Sequence, residues 1–360
     1  MLANLKIIGF LLPVYLGFLT MIILFLILFI NKCIILLAAS NLPRVLTGRN
    51  SPISTSRNYV KASDGIDIEI LSRMPLNFDR NKPPLLFIHG SGAGGWIWDE
   101  YWLKYFADEG FATFAVSLRG SAATGRSLDN NNKDAVKMEE HIDDLKKVLF
   151  KINNNKLSSS SSFKSRKKVC IAGHSFGGLV LTKLFEDSDA RDMVSSAIWM
   201  CAVPPSGQGR MAARFFRTRF WDTLEIIRGF AFGKARTDPK LNRKIFYDPS
   251  IDLKSVKTYM DRLALDEEIM EDIAGVEMQQ PSRGRYGDQA AWVNDAKFKR
   301  FVVGAQEDKI VDPPAIEETA QFVGSELGAI MIPNNGHNIM LSPRWKEGAQ
   351  VLLDLLKDRC

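Results

Sequence analysis

The chain has 360 residues, 46% of them hydrophobic and 24% charged, with a formal net charge of +6, four histidines and four cysteines. That length and apolar share allow one large core or two smaller ones. The cysteines (Cys33, Cys170, Cys201, Cys360) lack disulfide spacing, no metal-ligand cluster stands out, and no nucleic-acid motif accompanies the modest basic charge. No cofactor, metal or nucleic-acid partner is therefore expected.

Residues 1–40 are a different material from the rest. Ile7 to Ile30 contains no charged residue, and at helical rise it spans roughly 36 Å, enough to cross a bilayer with some tilt. A single-pass anchor, with the lipid bilayer as partner, is the leading expectation. A cleaved signal peptide is favoured by Ala38 and Ser40 but opposed by an apolar run longer than the usual h-region of about 7 to 15 residues. A buried core helix fits poorly because no polar face is visible, and Pro13 kinks such a helix without forbidding it. Lys6 precedes the run whereas Lys32, Arg44 and Arg49 follow it, a bias that puts the folded part on the cytosolic side. The absence of an N-x-[ST] sequon agrees.

After a polar linker (41–57), the expected domain runs from residue 58 to 360. Tyr59 to Ala62 and Ile66 to Leu71 read as a strand pair about Asp64-Gly65, a strong hairpin signal. A strand at Leu85 to Ile88, a helix at Trp98 to Asp108 and a strand at Phe111 to Leu118 follow. A helix is expected over about 134–151, with strands at Val169 to Ala172 and Ser196 to Cys201. Strands alternating with helices imply a mostly parallel sheet covered on both faces, an α/β fold. A polar stretch over about 153–167 is expected to be a disordered surface loop. A second excursion, about 204–295, is rich in helical patterns and looks like a cap over the C-terminal edge of the sheet. The chain closes with a strand at Phe298 to Val303, a helix near Ala315 to Phe322, a strand at Ala329 to Ile332 and a helix from Arg344 to Lys357.

Charge is uneven within the excursion. Gln208 to Lys244 holds ten Arg or Lys against three acids, while Asp248 to Asp272 holds eight acids against three bases. Solvated helical faces explain such blocks by default. The stripe Met211, Phe215, Phe216, Phe220, Trp221, Leu224 and Ile227 is most simply a helix face packed on the sheet. A basic amphipathic surface meeting a bilayer is the sharper alternative.

The chemistry gathers at Gly173-His174-Ser175-Phe176-Gly177, placed between the apolar run Lys168 to Ala172 and the helical run from Gly178 to Phe185. G-x-S-x-G between strand and helix is the nucleophile-elbow pattern, in which a tight turn lifts a serine hydroxyl clear of the sheet. A serine is a weak nucleophile, so it needs a base, a carboxylate to orient that base and donors for an oxyanion. Asp308 follows the strand ending Val302-Val303-Gly304, with Glu307 and Asp312 as rivals; Asp312, before Pro313-Pro314, reads more simply as a helix cap. His337 follows the strand ending at Ile332 and alone among the histidines has the required order and position, leaving His89, His141 and His174 to structural roles. The expected oxyanion donors are the backbone N–H groups of Phe176 and of Ser91 in the loop Ile88-His89-Gly90-Ser91-Gly92-Ala93-Gly94-Gly95. A phosphate cradle is disfavoured because no Lys-Ser/Thr pair follows those glycines. Trp96 and Trp98 either line an acyl pocket or pack a helix.

Four motifs in order, Phe87-Ile88-His89-Gly90, Leu118-Arg119-Gly120 with Gly125-Arg126-Ser127, the elbow at Ser175 and the loops of Asp308 and His337, resemble the α/β-hydrolase superfamily in its lipase, esterase and lysophospholipase-like branch. The resemblance covers roughly residues 58–357. It implies an eight-stranded, mostly parallel sheet with a helical cap. Ser175 argues against the epoxide hydrolase and dehalogenase branches, which carry Asp there, and Ser117 departs from relatives with an acid before Leu-Arg-Gly, a difference of loop packing. The resulting expectation is a membrane-anchored serine hydrolase of carboxylic esters with lipophilic substrates. Acyl transfer, a low-turnover receptor or scaffold on the same fold, and a secreted soluble esterase are the alternatives.

Overall fold

A computed structural model describes residues 54–125, 136–157, 165–265 and 288–359. The expected anchor, most of the linker, Arg126 and Ser127, residues 158–164 of the Asn/Ser-rich stretch and residues 266–287 of the excursion lie outside the described residues. Among the described residues no helix is long and apolar enough to cross a membrane.

The chain enters the sheet at Ser56, just ahead of the expected domain start, and β1 (Ser56–Lys61) and β2 (Asp67–Arg73) pair antiparallel about Gly65. The remaining strands are β3 (Leu85–Ile88), β4 (Thr113–Val116), β5 (Val169–His174), β6 (Val194–Met200), β7 (Lys299–Ala305) and β8 (Ala329–Ile332). They form one eight-stranded sheet in the order β1-β2-β4-β3-β5-β6-β7-β8. From β4 to β8 every pairing is parallel, whereas β2 meets β4 antiparallel. β3, β4 and β5 are buried at every residue, which is why they read as unbroken apolar runs in the sequence.

Successive side chains point to opposite faces of the sheet, and two cores result. Leu86, Ile88, Phe114, Ile171 and Val302 belong to one, Phe87, Ala115, Ala172, Ile198 and Phe301 to the other. The second face carries α1 (Trp96–Asp99) and α2 (Trp102–Asp108), two short helices where a single one was expected. Trp98 and Trp102 lie against Phe87 with ring centroids at 4.9 and 6.0 Å, both fully buried. Trp96 is buried as well, beneath the Arg262 guanidinium at 4.2 Å. Of the two readings of Trp96 and Trp98, the burial of both rings fits packing.

The other helices are α3 (Met138–Asn153), α4 (Phe176–Leu184), α5 (Ser188–Asp192), α6 (Gln208–Thr218), α7 (Phe220–Ala231), α8 (Pro239–Phe246), α9 (Leu253–Leu265), α10 (Pro313–Val323) and α11 (Trp345–Arg359). Helices α6 to α9 all lie between β6 and β7 and form the helical insertion.

The loop after β4 explains two sequence motifs. Arg119, with a side chain only 4% exposed, donates from Nε and from Nη2 to both oxygens of Asp144 on α3, at 2.9 and 2.8 Å, and also binds Asp64 of the first hairpin. Burial pushes the Asp144 carboxyl above its ordinary value against the pull of that guanidinium. Ser117 donates to Glu69 of β2 at 2.6 Å and accepts from the N–H of Gly95 at 2.9 Å. The acid missing before Leu118-Arg119-Gly120 is thus supplied from a neighbouring strand.

Arg119→Ala leaves Asp144 buried without its counter-charge and is expected to cost about 3–5 kcal/mol, whereas Asp64→Ala, at a side chain 38% exposed, is expected to cost under about 1 kcal/mol. Urea denaturation of both variants checks the contrast, and equal midpoints would refute it.

Candidate active site

Ser175 sits between β5 and α4 at φ 53°, ψ −118°. That is an uncommon conformation for a residue with a side chain, found where surrounding structure enforces it. The enforcement is steric. A Cβ on Gly173 would lie 2.5 Å from the carbonyl oxygen of Gly177, and one on Gly177 would lie 2.5 Å from the carbonyl oxygen of His89. The Ser175 N–H donates to the carbonyl of Met200 at 2.9 Å, and its carbonyl accepts from Gly178 and Val203. Between Val169 and Thr182 only Ser175 is not buried, so the turn presents the one accessible side chain of the segment.

Asp308 and His337 come together across two loops, after β7 and after β8. His337 Nδ1 lies 2.7 Å from Asp308 Oδ2, with both side chains buried. The other oxygen of Asp308 accepts the backbone N–H groups of Ile310 and Val311 at 2.7 and 2.9 Å. These bonds fix the carboxylate, and it in turn holds the imidazole with Nδ1 as donor and Nε2 as the open basic nitrogen. The rivals are placed elsewhere. Glu307 is exposed, and Asp312 caps α10 through the N–H of Ala315 while Arg214 of α6 donates to both its oxygens at 2.9 and 2.6 Å.

Ser175 meets this pair through its neighbour. The ring of His174 lies 4.7 Å from that of His337, and its Nε2 donates to the His337 carbonyl at 3.0 Å. No hydrogen bond joins Ser175 Oγ to His337 among the described residues. Burial, followed by the nearby His337, holds the His174 pKa well below its ordinary value and keeps the ring neutral. His89 accepts the N–H of Leu118 at 2.9 Å and donates to Gly90 at 2.7 Å, its pKa pushed down to about 4 by burial. His141, pushed down to about 3 by burial, packs its ring edge-on against Phe176 at 5.8 Å.

The expected oxyanion donors lie at the start of α4 and in the loop after β3. Phe176 is the first residue of α4, where N–H groups lack intrahelical acceptors and the helix dipole favours negative charge. The loop after β3 crosses directly over the serine, since a Cβ on Gly90 would fall 2.9 Å from Ser175 Cβ. Ser91 follows at the exposed side of that loop.

Sequence spacing missed Cys201, just past β6 at φ 44°. Its thiol is pushed well above the ordinary range by burial and then by the charge of Asp308. Cys201, His174 and His337 bring ligand-type atoms within 4.8 Å of one another, a cluster that no sequence spacing predicts. Each is otherwise engaged: His337 Nδ1 with Asp308, His174 Nε2 with the His337 carbonyl, and Cys201 as a protonated thiol facing the same carboxylate.

The insertion closes over these loops. The Asn338 N–H donates to Phe246 at 2.9 Å, Ser342 donates to Asp248 at 2.6 Å, and the ring of Phe246 stands 6.3 Å from that of His337. A Cβ on Gly336 would meet the backbone of Tyr247 at 2.6 Å. The glycine before His337 is therefore a close-approach position, legible in the sequence only as a turn signal.

Comparison with known proteins places the fold. The profile of the alpha/beta hydrolase family matches residues 85–347. Over 128 residues the chain is 29% identical to Methylesterase 1 of Arabidopsis thaliana, a match that spans 35% of this chain and 42% of that protein. An esterase from Exiguobacterium antarcticum superposes with a TM-score of 0.55 at 16% identity, covering 84% of this chain and 99% of the other. A bromoperoxidase from Bacillus anthracis does so with a TM-score of 0.58 at 14% identity, covering 85% and 100%. Identities this low speak to the fold alone. With a family profile running from β3 into α11, on a sheet of this strand order and with an elbow after β5, the chain belongs to the alpha/beta hydrolase family.

Proposed function

We propose that the protein is a membrane-anchored serine hydrolase of carboxylic esters with lipophilic substrates, acting through Ser175, His337 and Asp308. The observation that carries this reading is the buried His337–Asp308 pair at 2.7 Å beside a serine held at φ 53°. Ser175 Oγ attacks the ester carbonyl while His337 Nε2 takes its proton. The imidazolium, held by Asp308, then protonates the leaving alkoxide. The N–H groups of Phe176 and Ser91 stabilise the oxyanion of each tetrahedral intermediate. Water, activated by the same histidine, attacks the acyl-enzyme and restores the hydroxyl. Catalytic hydrogen bonds often tighten only once substrate is bound, so the reading does not require a Ser175–His337 bond in the free protein. An alcohol in place of water would make the same machinery an acyltransferase.

An alkyl fluorophosphonate probe is expected to label the wild-type chain and spare Ser175→Ala; equal labelling overturns the assignment. Hydrolysis of p-nitrophenyl esters is expected to fall roughly 10⁴-fold or more in Ser175→Ala, His337→Ala and Asp308→Asn, and to stay near wild type in Glu307→Ala. No turnover by the folded wild-type protein would favour a binding role.

The anchor reading rests on Ile7 to Ile30, uncharged throughout. Full-length protein is expected to stay in the membrane pellet after alkaline carbonate extraction. Release into the supernatant, or a mature N-terminus at Asn41, would overturn it.

A further inference from the structure

Large exposed hydrophobic side chains are unevenly spread over the described surface. Four of them, Phe220 (46% exposed), Trp221 (78%), Phe230 (45%) and Phe232 (53%), fall on α7 and the turn after it, and all four are aromatic. Arg217, Arg219, Arg228, Lys234 and Arg236 stand exposed among them. The three acids of the stretch from Gln208 to Lys244 are taken up locally. Asp222 and Glu225 face Lys244, and Asp238 caps α8 and lies 3.9 Å from Arg228. With Arg214 held by Asp312, nine basic residues against three acids still leave this stretch strongly positive around the aromatic side chains.

The inner side of α7 is already used. A Cβ on Gly229 would lie 2.5 Å from Ile245 of α8, so the two helices touch there. Phe230 continues inward, its ring 5.6 Å from Phe246, which stands 6.3 Å from His337. An aromatic path therefore joins the exposed patch to the proposed base.

Exposed Trp and Phe amid Arg and Lys fit the boundary of a bilayer carrying anionic headgroups, where the rings enter the acyl boundary and the cations stay at the headgroups. A second copy of the chain fits less well, because a self-complementary contact at this patch sets like charges face to face. We propose that the outer face of α7 docks on an anionic bilayer and turns the active-site side of the domain toward the lipid.

Topology gives this docking a purpose that an anchor alone does not supply. Ser56 pairs opposite Ser72, and Arg73 pairs with Thr113, the first residue of β4. The chain therefore enters the sheet at the edge where the parallel strands begin, whereas the insertion covers the edge where they end. An anchor joined at the first edge does not by itself turn the second toward the membrane, and the α7 patch does. That orientation rests on the anchor reading; the docking itself does not.

The test uses full-length protein with vesicles whose brominated acyl chains quench tryptophan, comparing wild type with Trp221→Ser. In vesicles containing phosphatidylserine, wild-type emission is expected to lose about a seventh more than the variant, Trp221 being one of seven tryptophans. The difference is expected to shrink in phosphatidylcholine vesicles and near 1 M salt, where the Debye length is about 3 Å. Unchanged hydrolysis of a soluble ester by Trp221→Ser shows that the variant is folded. Equal quenching of both proteins while they stay vesicle-bound overturns the docking and leaves the anchor standing. Attachment to anionic vesicles alone, reversed by salt and weakened in the variant, supports the docking and overturns the anchor. A concentration-dependent dimer lost in the variant overturns the docking in favour of self-association.

Discussion

A non-glycine residue at φ 53°, ψ −118° costs of order 1–3 kcal/mol, and the arrangement around Ser175 depends on holding it there. The turn is enforced from three directions. Gly173 and Gly177 allow the strand end and the helix start to approach within the space of one side chain, and the loop after β3 closes the top through Gly90. The Met200 carbonyl receives the Ser175 N–H from the neighbouring strand. A serine at the start of an ordinary helix would have its hydroxyl recruited as an N-cap. Here no side-chain cap bond forms at Ser175, and the hydroxyl is left for chemistry.

The same constraint organises the charges. His89, His141 and His174 are buried with their pKa values pulled down by desolvation, so three of the four histidines are neutral spacers near the site. His337 alone has a carboxylate on Nδ1. Asp308 is held in turn by two backbone amides and faced by the Cys201 thiol. The proposed base is defined by its partner as much as by its position in the chain.

Much of this was readable from the chain because it is local. Leu85 to Ile88 and Ala329 to Ile332 are strands at the expected residues, since short apolar runs bounded by turn signals leave little choice. Asp308 was separable from Glu307 and Asp312 only in three dimensions, because a one-residue step re-aims a loop side chain. The single helix expected from Trp98 divides at Glu100 and Tyr101, where packing of Trp98 and Trp102 around Phe87 overrides helical continuity. Cys201, Arg214 and Asp248 left no signal, since their partners Asp308, Asp312 and Ser342 lie about a hundred residues away.

Those distant partners bear on how the insertion is held. Arg214 ties α6 to Asp312, four residues beyond Asp308, and Asp248 with Phe246 ties the end of α8 to the segment after His337. The insertion is therefore bonded to both loops that carry the proposed base and its carboxylate. A rigid lift of the whole insertion would break a two-bond ion pair and a buried hydrogen bond while displacing the groups it uncovers.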